Sequence, residues 1–189
     1  MKIGLYFGSF NPIHVGHLII AEHILNNAGL KQVWMVVSPQ NPFKQSSSLL
    51  NEYDRLHLVQ TAIESSNHIK ASQVEFSLPK PSYTVDTLAY LKEKYPTYEF
   101  SIIMGSDSFC NLSKWKNYEA IIKHHSLYIY NRPGFIVDNI IGADIRILDA
   151  PLLEISSTHI RKLIKEKKSI RFLLPDKVME EIEKNNYYK

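Results

Sequence analysis

The apolar residues of this chain follow two recurring patterns. Short continuous blocks rich in β-branched and aromatic residues lie at 2–7 (KIGLYF), 32–38 (QVWMVVS), 100–104 (FSIIM) and 126–130. Blocks of that length predict buried strands. Between them, apolar positions recur every three or four residues. One series starts at Val15 and runs through Leu18, Ile19, Ala21, Leu25 and Ala28 to a stop at Gly29. A second starts at the cap Asn51 and runs through Leu56, Val59, Ala62 and Ile63 to about Glu64. A third starts at Thr84 and runs through Val85, Leu88 and Leu91, with Pro96 close behind. This spacing predicts helices with one buried face. Further helices are expected over 115–124, 156–167 and 176–183, the last introduced by Pro175, and weaker strands over 69–76 and 146–148. Polar or proline-rich breaks fall at 8–12, 39–50, 79–82 and 132–134. Strands alternating with helices predict an α/β fold: a doubly wound, mostly parallel sheet with helices on both faces and a small C-terminal helical element. Right-handed crossovers would bring every strand's carboxyl end to one edge of the sheet, where the junctions into helices gather.

Composition narrows the setting. The chain has 189 residues, no internal repeat and no linker, so one domain spanning 1–189 is expected. Apolar residues make 44% and charged residues 22%, which suits a folded soluble chain. One cysteine, Cys110, precludes an internal disulfide and favours a reducing compartment; it reads as a small packing residue. No apolar run approaches the ~20 residues of a membrane span, and the N-terminus lacks a secretory pattern. A cytoplasmic protein without a membrane partner is expected. The net charge of +3 suits anionic small ligands and makes a nucleic-acid partner a poor expectation. A homo-oligomer is compatible with all of this.

The first strand–helix junction carries the most chemistry. It reads Gly8-Ser9-Phe10-Asn11-Pro12-Ile13-His14-Val15-Gly16-His17. It lacks the glycine pattern of a dinucleotide turn and the lysine of a P-loop. Gly8 permits close backbone approach where the strand ends, and the helix N-terminus offers unpaired N–H groups to an anion. His14 and His17 lie three apart on one side of the first turn, with no side chain at Gly16 between them. A lone histidine there would be an ordinary polar residue at a helix start; the pair with Gly16, at a strand's carboxyl end, suits a polyphosphate. A third ligand is lacking for zinc. Near the C-terminus Ile155-Ser156-Ser157-Thr158-His159-Ile160-Arg161 opens another helix. Its serines also suit an N-cap cluster.

These two stretches resemble the HxGH and ISSTxIR signatures of the nucleotidyltransferase superfamily. Within it the chain is similar, along nearly its whole length, to the bacterial nicotinate-nucleotide adenylyltransferase family. Matching stretches include Tyr53-Asp54-Arg55, Tyr83-Thr84-Val85-Asp86-Thr87-Leu88, Gly105-Ser106-Asp107 with Trp115, and Arg132-Pro133-Gly134. One departure is Asn41-Pro42-Phe43-Lys44, where family members often have PPHK.

The resemblance implies a Rossmann-like fold and adenylyl transfer from ATP to nicotinate mononucleotide, with Mg²⁺ accompanying ATP. A phosphate monoester is mostly dianionic at pH 7, so alignment and charge stabilisation matter more than a general base. His14, His17 and Arg161 are the implied catalytic residues. ATP would also meet Gly8, Ser9, Phe10, Gly16, Gly105, Asp107, Ser156 and Ser157. The mononucleotide would meet Lys44, Thr84, Asp86 and Trp115, the indole offering a flat face to a cationic pyridine ring. Thr84 opens a helix whose N–H groups would favour a ring carboxylate over an amide. No protein ligand set for a metal is evident. Nicotinamide mononucleotide, another phosphorylated acceptor, or a nucleotide-binding regulator without turnover are the competing readings. Arg55 reads as an intrahelical salt-bridge partner of its neighbours over 51–54.

Overall fold

The computed structural model describes residues 1–40, 49–151 and 154–189. Six strands form one sheet: β1 (Lys2–Gly8), β2 (Gln32–Val37), β3 (Ile69–Ser72), β4 (Glu99–Gly105), β5 (Leu127–Tyr130) and β6 (Ile145–Leu148). Their order is β3-β2-β1-β4-β5-β6, and every pairing is parallel. The chain winds outward from β1 to β3, then returns to place β4 on the other side of β1. The carboxyl ends of β1 and β4 therefore flank the point where the winding reverses, which opens a crevice.

The helices are α1 (Val15–Asn27), α2 (Glu52–Ala62), α3 (Thr84–Lys94), α4 (Ser106–Phe109), α5 (Tyr118–His124), α6 (Ser157–Lys165) and α7 (Asp176–Lys184). Alternate strand residues feed two cores. Tyr6, Met35, Val37 and Ile103 face one side, with Ile24, Leu58, Ile160 and Val178 of α1, α2, α6 and α7. Leu5, Val36, Ile102 and Met104 face the other, with Leu88, Leu91 and Ile121 of α3 and α5. Burying one such side chain is worth ~1.5–3 kcal/mol. The edge strand β6 has an exposed centre, Arg146 and Ile147, which explains its weak pattern.

The expected doubly wound architecture is present. Three local expectations differ. The strand expected over 69–76 stops at Ser72, and Val74–Ser77 forms a single 3₁₀ turn that buries Glu75. The helix expected from 115 starts at Tyr118, because Asn117 adopts a left-handed backbone (φ 50°) and Trp115 is extended before it. The last turn of α6 is cut short by Lys167, at φ 55°.

Candidate active site

The motif residues collect on the carboxyl edge, around two adjoining clefts. The larger, about 400 Å³, is lined by Gly8, Ser9, Thr84, Gly105, Asp107 and Trp115, among others. The smaller, about 290 Å³, is lined by His14, Gly16, His17, Asp107, Arg132 and Ser156, among others. Asp107 and Tyr130 belong to the walls of both.

The histidine pair is held tightly. The His14 and His17 rings stack with centroids 3.7 Å apart at 26°, and the His14 N–H donates to His17 Nδ1 at 3.3 Å. A Cβ at Gly16 would lie 3.1 Å from His14 Nδ1, so the absent side chain makes room for the ring. The Phe10 ring meets His17 edge-on at 5.1 Å, from a backbone at φ 44°. His14 is buried, and its pKa is lowered to about 4, by burial first and by the positive Arg132 second. It is therefore neutral at pH 7. An uncharged imidazole here supplies hydrogen bonds rather than a full positive charge.

The second signature packs directly against the first. Ser157 Oγ donates to the Pro12 carbonyl at 2.9 Å, and Arg161 Nη1 donates to the Asn11 carbonyl at 2.7 Å. Ser156 caps α6, accepting from the His159 N–H at 3.2 Å. Ser156 thus faces the smaller cleft, whereas the Ser157 hydroxyl and part of the Arg161 guanidinium brace the loop between β1 and α1. Neither Ser157 nor Arg161 is among the residues lining the two clefts. Asp86 is also outside the lining; it pairs at 2.9 Å with Lys116, which does line the larger cleft. Lys44 lies outside the described residues.

Several residues that carry the site were not singled out from the sequence. Arg55 is fully buried, and its hydrogen bonds go to backbone carbonyls rather than into an ion pair within α2. Its guanidinium donates to the carbonyls of Ser9 (2.6 Å), Ser38 (2.8 Å), Pro39 (3.2 Å) and Leu50 (2.8 Å). It thereby fastens the loops leaving β1 and β2. Arg132 pairs with Asp107 at 3.2 Å and donates to Tyr130 Oη at 3.2 Å, while Tyr6 Oη donates to the same oxygen at 3.2 Å. Burial raises the Tyr6 pKa well above the phenol value, so this hydroxyl keeps its proton. Burial works to lower the Arg132 pKa, but Tyr130 and Asp107 outweigh it and raise the net value. Glu75 is buried in the wall of the larger cleft. The signals available were the Tyr53-Asp54-Arg55 and Arg132-Pro133-Gly134 matches, and for Glu75 an acid set between two apolar neighbours. Cys110, expected to pack inside, is exposed.

Among the described residues no group of three or more His, Cys, Asp or Glu gathers to hold a metal. Asp107 is the carboxylate shared by the clefts, and it is already paired with Arg132. The donor set does not fit a resident metal site. No helix of the described residues is long and apolar enough to cross a membrane.

Comparison with known proteins places this arrangement. Residues 5–163 match the cytidylyltransferase-like family model. A protein of Flavobacterium psychrophilum described as a probable nicotinate-nucleotide adenylyltransferase is 56% identical over 192 residues, covering 100% of both chains. Its counterpart in Flavobacterium johnsoniae, described in the same words, is 55% identical with the same coverage. In structure, the Plasmodium falciparum nicotinic acid mononucleotide adenylyltransferase complexed with NaAD aligns with a TM-score of 0.85 and 25% identity, covering 99% of this chain and 97% of that one. The same enzyme complexed with APC aligns with a TM-score of 0.83. The chain belongs to the nicotinate-nucleotide adenylyltransferase family, within the cytidylyltransferase-like proteins.

Proposed function

We propose that this chain transfers the adenylyl group of ATP to nicotinate mononucleotide, releasing pyrophosphate and forming nicotinate adenine dinucleotide. The observation that carries the reading is the meeting of the two signatures. Ser157 and Arg161 bond the carbonyls of Pro12 and Asn11, so residues about 150 positions apart build one loop beneath the stacked histidines. The full-length similarity to the family supports the same activity.

In the reaction an oxygen of the mononucleotide phosphate attacks the α-phosphorus of ATP, and the bond to the β-phosphate oxygen breaks. The nucleophile is already dianionic, so the protein's work is alignment and charge stabilisation. ATP lies across the smaller cleft and the Asp107 wall that it shares with the larger one, its phosphates over the backbone of Gly8, Ser9 and Phe10 at the edge of the larger cleft and over the N-terminus of α1. His14 and His17 donate hydrogen bonds to the phosphates, His17 nearest the charge that grows as pyrophosphate departs. Ser156 meets the departing phosphates, and Arg161, whose guanidinium holds Asn11 and Thr158 beside the clefts, adds its positive charge to that end of the site. Gly105 and Asp107 meet the adenosine. The mononucleotide occupies the larger cleft, its ring against Trp115 and its carboxylate toward the N-terminus of α3 at Thr84, whose cap residue supplies no side-chain hydrogen bond. Asp86 orients Lys116 at the same cleft. Magnesium comes bound to the polyphosphate of ATP, a mode that needs no protein cage, and no step is assigned through it. A single cytoplasmic domain fits this role.

The test is pyrophosphate release with ATP and Mg²⁺, comparing nicotinate and nicotinamide mononucleotides. A strong preference for the acid is expected. Equal use would remove the acid-binding role of α3, and release with neither would overturn the proposal.

A further inference from the structure

The mononucleotide of the proposed reaction carries two anionic groups, a phosphate and a ring carboxylate. The phosphate has to lie toward the histidines, where it attacks ATP, so the ring extends away from them along the larger cleft. That end of the cleft holds a cation to which the reaction above gives no contact. Lys116 follows Trp115, and both line the larger cleft. The stretch that carries them stops short of α5, which starts only at Tyr118 after the left-handed Asn117.

The Lys116 ammonium is held from two sides by the start of α3. It donates to Asp86 Oδ2 at 2.9 Å, with Oδ1 at 3.3 Å, and it lies over the Tyr83 ring at 4.6 Å from the centroid. Tyr83 is the N-cap of α3, and Asp86 belongs to its first turn. Lys116 therefore brings a positive charge to the helix end at Thr84. A free lysine samples many rotamers; the two contacts hold this one and lower the cost of ordering it on binding. The arrangement is also one-sided. Lys116 and Tyr83 line the cleft, whereas Asp86 does not. Asp86 holds the ammonium from behind, and the Lys116 side chain stays 45% exposed. The other lysine of that wall, Lys114, bonds within its own turn, to Asn111 Oδ1 at 2.8 Å.

We propose that Lys116, oriented by Asp86 and Tyr83, binds the carboxylate on the pyridine ring of the mononucleotide and so sets the preference for the acid over the amide. The inference rests on the proposed adenylyl transfer and adds a side-chain cation to the helix N-terminus. An ammonium offers three donors and no acceptor. A carboxylate accepts from it and also gains from its charge. A neutral amide gains nothing from the charge, and its NH₂ needs an acceptor. Asp86, the acceptor nearest the ammonium, stands outside the cleft lining. The site thus favours one substrate and leaves a donor of the other unsatisfied.

The test measures kcat and KM for both mononucleotides, with ATP and Mg²⁺, in the wild type and in the Lys116→Gln, Lys116→Arg and Lys114→Gln variants. Lys116→Gln should raise KM for the acid about fivefold, the upper range for a partly exposed ion pair, with kcat for the acid within about twofold of wild type. For the amide kcat/KM should move by less than about twofold, so the acid-to-amide ratio falls. Lys116→Arg keeps the charge and should hold most of the wild-type ratio, and Lys114→Gln should leave the ratio where it is. Added salt should lower the ratio in the wild type and much less in Lys116→Gln. A ratio unmoved by Lys116→Gln overturns the proposal. So does an equal rise in KM for acid and amide, which would put the ammonium on the phosphate that both carry. A Lys116→Arg enzyme as unselective as Lys116→Gln, or a wild type that uses acid and amide equally, overturns it as well. Wild-type enzyme releasing pyrophosphate with neither mononucleotide would instead refute the proposed activity, a separate failure.

Discussion

Replacing Arg55 by Met should damage both stability and catalysis, and the size of the effect follows from its four hydrogen bonds. Met is close in length and apolar, so the cavity change is small and the loss is chiefly polar. The variant strips donors from the carbonyls of Ser9, Ser38, Pro39 and Leu50, which lie 2.6–3.2 Å from the guanidinium. A hydrogen bond from a charged donor is worth ~1.5–3 kcal/mol, but the four share one desolvated cation whose burial is itself costly. Breaking such a buried set typically costs ~3–5 kcal/mol. For a chain of this size about 4 kcal/mol corresponds to a fall in Tm of ~8–16 °C. Calorimetry or urea unfolding of wild type and variant measures it. Activity assayed well below the lowered Tm should still be depressed, because the freed carbonyls belong to loops that line the larger cleft. Arg55→Lys should recover only part of the loss, since an ammonium cannot span four carbonyls in a planar fork. A fall in Tm below ~2 °C for Arg55→Met would refute the idea that this side chain holds the loops.

Four further outcomes are expected. His14 is neutral in the folded state with a pKa near 4 against 6.5 unfolded, so the unfolded chain binds the extra proton between those values; stability should fall by up to about 3 kcal/mol as pH drops from 7 to 4. Urea midpoints across that range should lose part of their slope in His14→Asn. Gly16→Ala should leave stability unchanged or raised by up to ~1 kcal/mol, since alanine favours the helix, yet cut kcat/KM by displacing the His14 ring it would approach to 3.1 Å; unchanged kinetics would mean that the ring position is not critical. His17→Ala should lower kcat by about a hundredfold while the dissociation constant for ATP, from equilibrium titration, moves little; loss of binding with kcat intact would contradict its role. Trp115→Ala should raise KM for the mononucleotide by ~2–30-fold and leave KM for ATP unchanged; a change in KM for ATP alone would reassign the clefts.

What the sequence made legible, and what it hid, divides along physical lines. The strands β1, β2, β4 and β5 were readable because a parallel sheet covered on both faces demands continuous apolar blocks, and each block forms its local structure with little help from afar. The His14–His17 pair was readable for the same reason: spacing along one helix turn fixes which side chains are neighbours. The start of α5 was not, because Asn117 at φ 50° resets the chain by a single backbone angle that leaves no periodic trace. Arg55 and Glu75 were hidden more deeply. Each lies within a pattern that looks ordinary locally, and its role is set by partners on other elements: Ser9, Ser38 and Pro39 for Arg55, Thr87 for Glu75. The carboxyl edge of an open sheet makes such residues necessary. Loops leaving the strands there have no ladder to satisfy their carbonyls, yet they must hold a fixed shape around a ligand. A buried charged side chain near that edge is therefore more informative than its local sequence. Among the described residues Arg55 bonds only to backbone carbonyls, and its place behind the loop after β1 fits the need to keep Gly8, Ser9 and Phe10 fixed when no nucleotide is bound.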